Sequence, residues 1–207
     1  MKQFFDVDGP IYRFMTTLMN ILVLNFCWII GSIPIITIGV STVAAFDVAL
    51  RMVDDEEGYI VKQYIKAYKE NIKQGIPLGL ITILAAWAVY LDFQIFDAME
   101  NGPLFLLIFG FLSAAIFIAC LLYAYPLTAR YTNSLLKTMK NSFMITTRFF
   151  GWTVLIVAAV VIEGAAFLWN LTMEFIGVLI GPACLILTVS LIAKHVFKKI
   201  EKQNAAG

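Results

Sequence analysis

The chain has 207 residues, 61% of them hydrophobic and only 14% charged, with mean hydropathy +0.86 and net charge +1. A soluble domain is about 45–50% apolar and about 25% charged, and a fold of this size has too much surface to hide such an excess from water. Composition therefore excludes a soluble globular domain, and the near-zero net charge gives no electrostatic case for a nucleic-acid partner.

The chain opens with Asp6 and Asp8 ahead of the first apolar run. That run is too long for the core of a secretory signal and lacks a small-residue cleavage site, so it is expected to be retained. Apolar character covers residues 14–33 and continues past Pro34 through SIPIITIGVSTVAAF to Val53. Pro34 and Gly39 bracket a break, because proline removes a backbone donor and glycine accepts turn dihedrals. Two readings stay open: one span followed by a surface segment, or a hinged hairpin with a second limb over 34–53. Asp47 and Arg51 lie one helical turn apart, where they are placed to pair, and Asn20 and Asn25 are suited to hydrogen bonds between helices.

Residues 59–74 follow the acidic run Asp54, Asp55, Glu56 and Glu57. On a helix at about 100° per residue, Lys62, Lys66, Lys69 and Lys73 share one sector, and Ile60, Val61, Tyr64, Ile65, Tyr68 and Ile72 take the other side. Spans are expected at 75–96 and 103–127, joined by DAMENG, because about 20 apolar residues cross a bilayer core. Residues 130–149 are basic again: Arg130, Lys137, Lys140 and Arg148 share a sector facing away from Leu135, Leu136, Met139 and Phe143, and no acid lies between Thr128 and Phe150. Both segments read as amphipathic helices in the membrane interface, their cations toward anionic headgroups or a protein partner. Spans at 151–169 and 175–193, joined by NLTME, complete the pattern. The fold class is thus all-α: a multi-pass transmembrane helical bundle of five to six membrane helices, forming one integral membrane domain over residues 1–207.

Lysine and arginine favour the cytoplasmic side. Both long connections and the tail with Lys194, Lys198, Lys199 and Lys202 are therefore expected inside, and the two short turns, which carry no cation, outside. A hairpin at the N-terminus places all fifteen cations inside, whereas a single crossing leaves Lys2 and Arg13 outside, so the hairpin is favoured.

Among ionisable groups within spans, Glu163 and Asp92 stand out, because a charge at the bilayer centre costs about 2.5–3.5 kcal/mol on insertion scales. Each is either a coupling or substrate group or a protonated acid bonded to a neighbouring helix, with Asn170, Tyr90 or a backbone carbonyl as candidate partners. Gly75-xxx-Gly79, Ala115-xxx-Ala119 and Gly177-xxx-Gly181 allow close helix approach and permit self-association. Cys27, Cys120 and Cys184 lie far apart inside apolar runs, so neither a metal site nor a redox pair is expected. No phosphate-binding loop, nucleophile elbow, zinc-protease or dinucleotide motif occurs, and neither cofactor nor enzymatic activity is expected.

The segments FFDVDGPIYRF, SIPIITIG, DDEEGYIVKQYIKAYKENIKQ and YPLTARYTNSLLKTMKNSF resemble the YesL-like family of bacterial membrane proteins over nearly the whole chain. The resemblance implies a small multi-pass protein of the bacterial plasma membrane. It also implies a non-enzymatic accessory or scaffold role beside carbohydrate uptake, with a sugar-transporter subunit as partner. An autonomous small transporter using Glu163 and Asp92 is the alternative.

Overall fold

The structure, a computed structural model, describes residues 10–56, 58–98 and 104–205. Lys2, Asp6, Asp8, Glu57 and most of the DAMENG turn lie outside the described residues. Among the described residues seven α-helices run in order: α1 (Pro10–Ser32), α2 (Ile38–Val53), α3 (Ile60–Ala98), α4 (Leu104–Arg130), α5 (Leu135–Arg148), α6 (Phe150–Phe167) and α7 (Leu171–Ala205). No strand occurs among the described residues. All except α5 are long and apolar enough to cross a membrane, which makes six candidate spans.

The break in the N-terminal stretch falls at Ser32–Thr37. Pro34 is extended (φ −75°, ψ 113°) and leads into a single 3-10 turn, Ile35–Thr37. Its isoleucines, Ile33, Ile35 and Ile36, are exposed, a surface that suits lipid and not water. Hydroxyls close the backbone there: Thr37 Oγ1 lies 2.9 Å from Gly31 O and 2.7 Å from Pro34 O, Ser41 Oγ donates to Trp28 O (2.8 Å), and Tyr68 OH donates to Gly31 O (3.3 Å). These bonds satisfy backbone groups that the break leaves without a helical partner. Gly39, read as part of the hinge, lies inside α2 with ordinary helical geometry. It serves contact instead: a β-carbon on Gly39 would strike Gly75 O and come within 2.5 Å of Gly79 Cα, and one on Gly75 would meet Val40 Cα at 2.5 Å.

That contact places α2 at the centre. Its small residues Gly39, Ser41, Ala44, Ala45 and Ala49 are buried along with Val40, Val43 and Val48, and it packs against α1, α3, α4 and α7. Small side chains permit such close surrounding where the hydrophobic effect gives no drive between helices.

Three expected boundaries move. Residues 60–74 are not a separate helix on the membrane surface. They are the first turns of α3, whose 39 residues extend about 58 Å at 1.5 Å per residue, nearly twice a bilayer core of about 30 Å. Arg130 ends α4 and does not share a helix with Lys137, Lys140 and Arg148. The turn before α7 is also shorter than NLTME. Leu171 already begins the helix, and Asn170 Oδ1 accepts the amide of Met173 (3.0 Å) as its N-cap.

Candidate functional site

On α3 the buried residues Ile60, Tyr64, Ala67, Gly75 and Leu78 recur at helical spacing, while Lys62, Lys66, Lys69 and Lys73 lie opposite and exposed. Tyr68 is half-buried, but Val61, Ile65 and Ile72 of the expected apolar side are exposed beside the lysines. None of the four lysines joins an ion pair among the described residues. An apolar cavity of about 280 Å³ runs along this flank between Ile30 of α1 and Ile65 of α3 and reaches Lys69.

Most other cations at this end are engaged. Lys194 of α7 is buried, donates to Val53 O (2.7 Å) and forms an ion pair with Asp54. The hydrogen bond from Lys194 holds the Asp54 carboxyl below the usual carboxylate range. Arg130 pairs with Glu201 (3.1 Å), which also accepts from Tyr131 OH (2.5 Å). Burial, with the Glu201 carboxylate beside it, pushes the Tyr131 phenol up to about 12. Arg148 donates to Gln203 (2.9 Å) and Lys199 lies 4.9 Å from the Trp152 ring centroid. The C-terminal turns of α7 thus lock the ends of α2, α4 and α5 together. A cavity of about 330 Å³ opens where α4, α5 and α7 meet, with Asn133, Asn141, Arg148 and Glu201 on its rim and Phe149 and Phe197 in its wall.

The intramembrane candidates do not converge on one another. Asp47 pairs with Arg51 (3.0 Å) within α2. Asp92 lies exposed near the end of α3, beside Gly110 of α4. Glu163 of α6 neighbours Thr188 and Cys184 of α7, not Asn170, which is used in the cap, nor Tyr90, whose hydroxyl accepts from Gln94. Among the described residues no three metal-ligating side chains gather.

Asn25 has the most specific role. It is fully buried, and its amide donates to Val178 O (3.0 Å) while its carbonyl accepts from Ala183 N (3.3 Å). Pro182 lies inside α7 and has no N–H for the carbonyl four residues back. That carbonyl belongs to Val178, so a side chain from α1 supplies the donor that the helix lacks. The proline is visible in the sequence. Its partner, more than 150 residues away, is not.

No curated protein and no solved structure matches this chain. A family model described as "Protein of unknown function, DUF624" matches residues 21–93, which take in the break, α2 and α3 as far as Asp92 and Phe93.

Proposed function

We propose that the protein is a non-enzymatic integral component of the bacterial plasma membrane, with its long connections and C-terminus in the cytoplasm. It acts as an accessory or scaffold subunit beside a carbohydrate-uptake system. The observation that carries this reading is the lysine row on α3. Four exposed cations without ion-pair partners among the described residues stand on a helix continuous with a candidate membrane span, so a partner binding them is coupled rigidly to the bundle. The family match covers this helix, and the link to carbohydrate uptake rests on the YesL-like resemblance of the segments around it. Replacing Lys62, Lys66, Lys69 and Lys73 together by Gln is expected to abolish partner recovery and impair sugar-dependent growth, with membrane abundance unchanged. Intact recovery and growth in that variant would reject the proposal.

One observation favours the transporter alternative. Pro182 lies inside α7 and leaves one helix bond unmade, close to Cys184, which neighbours Glu163, and proline-bearing membrane segments are where transporters place their sites. Uptake by protein reconstituted alone, lost in Glu163→Gln, would support that reading; absence of uptake by the wild type would discard it.

A further inference from the structure

α5 presents three faces. Thr138, Ser142, Ile145 and Thr146 are buried against the bundle, and hydroxyls fix them there. Ser142 Oγ donates to Cys120 O, and Thr146 Oγ1 donates to Ala119 O at 3.4 Å. Two of the apolar residues expected opposite the cations face outward: Leu136 is 83% exposed and Phe143 54%. Lys137 and Lys140 form the third face, and Lys140 is an i,i+3 and i,i+4 neighbour of Phe143 and Leu136.

Below the second face lies a groove of about 450 Å³ between α4 and α5, walled by Leu112, Ile116, Phe117, Met139 and Phe143. From Cys120 to Leu112 it follows α4 for about 12 Å. Cys120 itself lies ten residues before the end of α4, so the groove runs from the basic end toward the middle of the bundle. We infer that this groove is a binding site for an anionic phospholipid, one acyl chain lying along Ile116 and Leu112 and the phosphate held by Lys140 and Lys137.

Charge complementarity selects this occupant over a neutral lipid. No acid occurs between Thr128 and Phe150. Arg130 and Arg148 of the same stretch are engaged by Glu201 and Gln203, whereas Lys137 and Lys140 have no ion-pair partner among the described residues. A lysine near an anionic surface contributes about 1 kcal/mol, roughly a fivefold change in affinity, and the apolar groove adds burial of the acyl chain that a bare basic patch lacks.

The test titrates delipidated full-length protein in neutral detergent with phosphatidylglycerol or phosphatidylcholine, following the thermal midpoint. Phosphatidylglycerol is expected to raise the midpoint at lower concentration than phosphatidylcholine. Lys137→Gln with Lys140→Gln should raise the half-saturating concentration about 25-fold, and the paired arginine variant should restore it. Phe143→Ser, which opens the groove wall and leaves the charges, should weaken binding as well, while Lys62→Gln with Lys66→Gln should not. Equal response to the two lipids, no effect of Phe143→Ser, or equal loss in the α3 variant would overturn the assignment.

Discussion

A proline inside a membrane helix leaves one carbonyl without a donor, and hydrocarbon has no water to replace it. At Pro182 the gap is closed by Asn25, which bonds on both sides of the break. Asn25→Ala should lower stability by about 1–2 kcal/mol, read as a fall in thermal midpoint. In a Pro182→Ala background the restored amide serves Val178 itself, so the cost of Asn25→Ala should fall to less than half; equal costs in the two backgrounds would refute the link. A second residue-scale prediction concerns Asp54. Its folded-state pKa is depressed by Lys194. The tie therefore contributes stability above the ordinary carboxylate pKa and loses it as pH falls through the depressed value. The stability difference between wild type and Asp54→Asn should shrink as pH drops from about 6 to about 3, and a constant difference would contradict it. Asn25 was legible as a group that bonds between helices, and Pro182 is visible in the sequence within the span expected at 175–193. Their pairing was not, because nothing local in either segment names the other.

Helix periodicity revealed the lysine face of α3 but not the length of the helix that carries it. The boundary expected at residue 75 is absent, and Pro77 lies inside the helix. The helix continues because the same buried face runs through from Ile60 to Leu78, so tertiary packing outweighs one lost backbone bond. For α5, the cation sector was legible, but the face that packs on the bundle was not. In a membrane the outer face is apolar too, and small hydroxyl residues, which let backbones approach, take the inner one. The glycines separate in the same way. Gly39→Ala, Gly75→Ala and Gly79→Ala put a methyl group against backbone and should each cost about 1–3 kcal/mol. Gly151→Ala and Gly164→Ala meet open space and should be neutral or stabilising by up to about 1 kcal/mol. Thermal unfolding of the five variants checks the division, and equal effects would refute the close contact between α2 and α3.

At the scale of the molecule, length and composition made five to six membrane helices legible, against the six candidate spans of the structure, because bilayer thickness fixes how long such a run must be. The centre was not legible. α2 looked like an uncertain second limb, yet it is the most enclosed helix, since which apolar helix is surrounded by others depends on packing and leaves no mark on hydropathy. Charge distribution predicts sidedness: single cysteines at Lys66, Lys140 and Lys198, in a background lacking the native cysteines, should all label from the cytoplasmic face with an impermeant thiol reagent. Labelling of any one from the opposite face would break the topology. The functional proposal depends on the lysine row being a contact surface for another membrane protein. The most direct measurement places a photocrosslinking residue at Lys66 and, as control, at exposed Leu84 of the same helix, in cells grown on the sugar whose uptake is affected. A single transporter subunit captured at residue 66 and not at residue 84 is the predicted result; no protein adduct at residue 66, or the same products at both positions, would contradict it.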